Sequence, residues 1–209
     1  MFAKDRDLVV HEPGLHRDIA WMGQRLISGI GSLVGTALTI NSGSFTDVGI
    51  ESGHVVIFDD VVLEVVSVES DVEATVSMLR ADTSSNAIPG IDASNRKVEV
   101  FGYGPQIGIV HRQILGMIGI DVDDPDGLSV DAVTNPNGLV RLEAIGALHL
   151  IYSGAGATGR NGQKFDQRAK MYRERFASER ERVVAMIDLD GDGIAEVTRR
   201  PNAFVLDRG

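Results

Sequence analysis

The chain has 209 residues, of which 43% are hydrophobic and 24% charged, and a formal net charge of −10. It has no cysteine, which excludes disulfides, thiolate metal sites and a cysteine nucleophile. Its length allows one large domain or two small ones, and its acidity disfavours a protein that grips phosphate or reads DNA sequence.

Residues 1–23 carry a turn at Glu12-Pro13-Gly14 and a weak helical stripe through His16, Ile19 and Ala20. They read as an N-terminal arm with a short helix. The opening residues lack the positive, apolar, small-residue order of a secretory signal. No apolar run approaches the roughly 20 residues of a membrane helix. The expectation is synthesis in the cytoplasm and no membrane partner.

Residues 24–101 read as a β module. LVGTALTI, HVVIF, VVLEVVSV, ATVSML and KVEVF are short runs rich in Val, Ile, Leu and Thr. Asn41-Ser42-Gly43, Glu51-Ser52-Gly53 and Glu69-Ser70-Asp71 punctuate them as turns. Asp59-Asp60 joins two strong strands closely enough for a tight hairpin. The pattern predicts a small antiparallel barrel with the look of an SH3-like barrel. Residues 82–96 have loop composition.

The period changes at Tyr103-Gly104-Pro105. Ile107, Val110, His111, Ile114, Leu115 and Ile118 form a helical stripe, with Gly119 as its stop. An acidic loop spans residues 121–131. Asn135 then reads as an N-cap and Pro136 as the first helical residue. Leu139, Leu142, Ile145, His149 and Tyr152 follow on one face. The Gly-rich SGAGATGRNGQ predicts an interhelical connection. Its literal G-x-G-x-x-G has a helix before it, where a dinucleotide site needs a strand.

From Arg160 a long charged helix is expected to run to residue 187, with Phe165, Ala169, Tyr172, Phe176, Val183 and Ile187 on its apolar face. The fold class predicted is therefore α+β: a β-barrel module at 24–101, a three-helix bundle at 102–187, and an acidic turn with an extended C-terminal tail at 188–209.

The strongest chemical signal lies in that turn. Asp188, Asp190 and Asp192 alternate around Gly191 and Gly193, with Ile194 and Glu196 after them. Hard cations such as Ca²⁺ take six to eight oxygens, and alternate carboxylates in a Gly-rich turn converge on one point. The expected ligand set is Asp188, Asp190, Asp192, the Ile194 carbonyl and Glu196. Arg199 stands where an EF-hand places its bidentate Glu, so the loop is not an EF-hand. The expected role of Ca²⁺ is structural; an acidic surface turn without an ion is the alternative. No nucleophile–base pair is evident from the sequence, and the five histidines form no ligand pattern. The expectation is a protein that is not an enzyme.

The segments PQIGIVHRQILGMIGID, TNPNGLVRLEAIGALHLIYSGA and FDQRAKMYRERFASERERV, with Ala169, Tyr172 and Phe176 spaced along the last, resemble the head-to-tail connector (adaptor) proteins of long-tailed phages and gene transfer agents. The resemblance covers roughly residues 101–209. It implies a virion protein of the neck between capsid and tail. It also implies a ring, generally dodecameric, beneath the portal protein and above a tail-completion (stopper or terminator) protein. Genomic double-stranded DNA would pass through that ring without being read. The C-terminal segment would meet the portal, with Arg199, Arg200, Phe204, Val205 and Leu206 as contact residues. The β module and the calcium-like turn go beyond the basic pattern of that family. Two competing readings are a calcium-dependent binding module or enzyme, and an SH3-like peptide-binding module on an oligomerising bundle.

Overall fold

Alternating β-branched runs in the first hundred residues pair into six strands that close on themselves. The computed structural model describes residues 1–157 and 162–201. The expected helix start at Arg160 and the tail residues Phe204, Val205 and Leu206 lie outside the described residues. The class is α+β, with a closed antiparallel barrel and several helices. The chain folds as two units: Lys4–Tyr103, and Met1–Ala3 together with the chain from Gly104 onward.

In the first unit, two short helices, α1 (Asp5–His11) and α2 (Leu15–Asp18), precede the strands. The weak stripe at residues 16–20 gave no hint of α1. The strands are β1 (Gln24–Val34), β2 (Ala37–Ile40), β3 (Val55–Phe58), β4 (Val61–Val68), β5 (Glu73–Met78) and β6 (Ala93–Gly102). Their order around the barrel is β1-β2-β5-β4-β3-β6, and β6 pairs back onto β1. Asp59 and Asp60 form the two-residue turn between β3 and β4 with φ of 46° and 72°. That is the primed-turn geometry that matches strand twist. Residues 93–96, expected in a loop, extend β6 instead, because β1 is long enough to pair with them as far as Ala93. Leu33, Leu38, Phe45, Val56, Leu63, Val76, Val98 and Val100 fill the interior.

A buried acid on the barrel wall is held by two buried arginines. Glu64 on β4 is 1% exposed. It accepts from Nε of Arg6, on α1, and from Nε (2.5 Å) and the backbone N–H (3.1 Å) of Arg80. Arg6 and Arg80 also donate to the carbonyls of Arg80, Thr83 and Ser85. The network fixes α1 and the chain after β5 to the wall. A buried carboxylate without such partners would be strongly destabilising.

The second unit contains α3 (Gly104–Met117), α4 (Asn137–Ala157) and α5 (Gly162–Arg182), then β7 (Ala185–Ile187) and β8 (Val197–Arg199). Val110, Ile114, Leu115, Leu139, Leu142 and Ile187 share its core. Tyr152 and Tyr172 stack between α4 and α5, with ring centroids 5.7 Å apart. Three expectations need correction. The long helix ends at Arg182, not at 187: Val183 lies beyond it and Ile187 is in β7. Ile187 is buried all the same, because β7 pairs with β8 on one side and bridges to Val133 on the other. Asn135 does not cap α4 with its side chain. It accepts from the N–H of Met186 (2.8 Å) and donates to the Val184 carbonyl (2.9 Å), stitching the start of α4 to β7. Finally, α4 runs past Tyr152 to Ala157, so Gly154 and Gly156 are helical rather than part of a loop.

Candidate functional site

The acid turn is the tip of a hairpin. β7 and β8 pair antiparallel with Ile187 opposite Val197, and residues 188–196 form the connection. The segment at 188–199 is therefore a closed hairpin and not the first part of an extended tail. Its geometry follows from the sequence. Gly191 and Gly193 take φ of 81° and 87°, a region that side chains with Cβ disfavour. Those two turns fold the backbone N–H groups inward onto Asp188.

Asp188 is the pivot. Its Oδ1 accepts from the N–H of Asp190 (3.1 Å) and Gly191 (2.7 Å), and its Oδ2 from the N–H of Gly193 (2.7 Å). The Gly193 N–H, then those of Gly191, Asp190 and Asp192, hold the Asp188 carboxyl below its usual pKa of 3.8, against desolvation that would raise it. Asp190 accepts from Asp192 (3.2 Å), Asp192 from Ile194 (2.7 Å), and Glu196 from Leu189 (2.6 Å), each through a backbone N–H.

Asp188, Asp190, Asp192 and Glu196 each present one carboxylate oxygen, and these four oxygens lie within 4.8 Å of one another. Two oxygens on one Ca²⁺ can stand no further apart than about 5 Å, twice the usual bond length. The spacing of the carboxylates therefore allows a single hard divalent cation among them. Ile194 turns its side chain to solvent and spends its N–H on Asp192. Three of the four carboxylate residues are exposed and Asp188 is buried.

Arg199, expected at a partner interface, is engaged within its own unit. Its Nη1 donates to the carbonyls of Ile118 (2.7 Å) and Gly119 (3.1 Å), capping the end of α3. Gly119 permits this, since a Cβ there would stand 2.6 Å from that nitrogen. Arg200 is exposed. The histidines are not gathered together. His111 contacts Glu143, His149 lies 3.1 Å from the Ala169 carbonyl, and His16 is buried in the barrel unit.

Two fully buried acids not singled out from the sequence are Glu64 and Glu143. Both had a visible signal: each is a single acid inside an apolar run, VVLEVV and LVRLEAIGAL. An acid in such a run is buried with its strand or helix and must find partners there.

Comparison with protein-family models, with curated proteins and with solved structures finds no match in any of the three.

Proposed function

We propose that this protein is a head-to-tail adaptor of a tailed phage or gene transfer agent, forming a ring between the portal and a tail-completion protein. In this reading α3, α4 and α5 are the connector bundle, and the barrel is an SH3-like addition to it.

The observation that carries the proposal is α5. Of its 21 residues only Phe165, Ala169 and Tyr172 are buried. It is about 30 Å long at 1.5 Å per residue. Its open face carries Lys164, Asp166, Lys170, Arg173, Glu174, Arg175, Glu181 and Arg182, with both signs interleaved. Such a wall suits contact with a second copy of itself, where each sign meets its opposite. It suits phosphate binding poorly, since its acids would repel the backbone. The net charge of −10 agrees with a channel through which DNA slides without adhering. The hairpin at 188–196, with Ca²⁺ as a structural ion, is a stiffened corner that directs the chain into its last residues. Arg200, Phe204, Val205 and Leu206 would meet the portal.

Electron microscopy and mass photometry of the purified full chain test the proposal. The expected result is a closed ring, alone or on addition of portal. Monomers under both conditions would overturn it.

A further inference from the structure

Residues Met1–Ala3 belong to the helical unit, although Lys4 begins the barrel unit. The chain therefore passes between the units at two places, Ala3 to Lys4 and Tyr103 to Gly104. What holds the first three residues is specific. Glu143, in the middle of α4, is 0% exposed. Its Oε1 accepts the N–H groups of Phe2 (3.1 Å) and Ala3 (3.2 Å). Its Oε2 is 3.3 Å from the Phe2 nitrogen and 2.9 Å from Nδ1 of His111. The Phe2 ring meets the His111 ring edge-on, with centroids 4.7 Å apart, and packs on the core of the unit. Ala3 is 0% exposed.

Burying a carboxylate is costly unless hydrogen bonds replace its water. Apart from His111, the groups that replace it here are backbone amides of the leading residues. An apolar pocket would accept Phe2 in several positions. A carboxylate aimed at two consecutive N–H groups accepts one register only.

We propose that Glu143 and His111 form a seat that makes residues 1–3 a latch. Seated, they add a second tether between the two units; unseated, they leave the crossing at Tyr103–Gly104 as the single one. The latch does not depend on the adaptor reading.

Amide exchange and a distance measurement on the full chain test it together. The Phe2 and Ala3 amides exchange slowly in the natural protein. Glu143→Gln, which keeps the shape and removes the charge, speeds them by about tenfold to a hundredfold, the range for a lost charge-assisted hydrogen bond. Amides of α5 report whether the bundle stays folded. If Glu143→Gln unfolds it, Ala3→Pro carries the test, because it deletes one donor and leaves Glu143 in place. The chain has no cysteine, so Ser42→Cys and Ser178→Cys, both at exposed positions, place one spin label on each unit. The distance distribution broadens when either variant is added. Fast exchange of Phe2 and Ala3 in the natural protein would overturn the seat. Accelerated exchange with an unchanged distribution would overturn the tether.

Discussion

At the scale of single residues, the barrel unit buries two titratable groups with opposed responses to pH. His16 is 1% exposed, and neither ring nitrogen has a hydrogen-bond partner among the described residues. Burial lowers its pKa from 6.5 to about 4. Asp5 is pushed up from 3.8 to about 6, chiefly by burial, with Asp7 adding to the rise while the Tyr103 N–H and His54 oppose it. Tyr103 touches both groups: its N–H donates to Asp5 (2.8 Å) and its ring lies against His16. As pH falls from 6.5 toward 4, unfolded His16 takes up a proton that the folded form refuses, so stability falls. As pH falls from 6 toward 3.8, folded Asp5 holds a proton that the unfolded form lacks, so stability rises. A tenfold difference in proton affinity between the folded and unfolded chain is worth about 1.4 kcal/mol, and between pH 7 and 5 the two effects largely cancel. The natural barrel unit is therefore expected to change little over that range. Asp5→Asn should leave the histidine effect alone and lose about 2 kcal/mol on going to pH 5. His16→Leu should instead gain about 1 kcal/mol over the same interval. Denaturant titrations at the two pH values, followed by the fluorescence of the single Trp21, check both signs.

At the scale of elements, the acid hairpin shows what could be read in advance and what could not. The gathering of the four carboxylates was legible because alternate acids around glycines in a tight turn bring their oxygens together. The end of α5 was not. Val183 and Ile187 continue the apolar spacing of the helix, so periodicity alone runs on through them. The helix stops at Arg182 because β7 is claimed by β8 and by the Asn135 side chain, partners that are remote in sequence. The same remoteness hid the true role of Asn135. It also hid the bonds that Arg199 donates to the carbonyls just beyond α3. The hairpin makes its own prediction. Ca²⁺ should bind with measurable heat and raise the melting temperature, and Asp190→Ala should abolish both. Calorimetry showing no heat with the natural protein would remove the ion. Gly193→Ala places a Cβ at φ 87° and should cost about 1 kcal/mol with or without Ca²⁺.

At the scale of the whole chain, the main division between the units falls at Tyr103–Gly104, where the hydrophobic period of the sequence changes. Each unit then owes its solidity to its own apolar cluster. The affiliation of residues 1–3 with the helical unit could not be read, because a lone acid announces that it needs partners and not which ones. The adaptor proposal makes a prediction here. Pro201 is buried, so the deletion that tests the tail spares it and removes residues 202–209. Their deletion should abolish portal docking and leave the circular dichroism spectrum unchanged; undiminished docking would take Phe204, Val205 and Leu206 out of the interface.

Barrel closure has a consequence for crowding. Because β6 pairs back onto β1, each of the six strands has a neighbour on both sides, and the overhanging parts of the long strands β1 and β6 are paired on one side alone. Open edges are what let β proteins template one another into aggregates. Closure confines that hazard to the overhangs of β1 and β6, which suits a unit held beside many copies of itself at high local concentration.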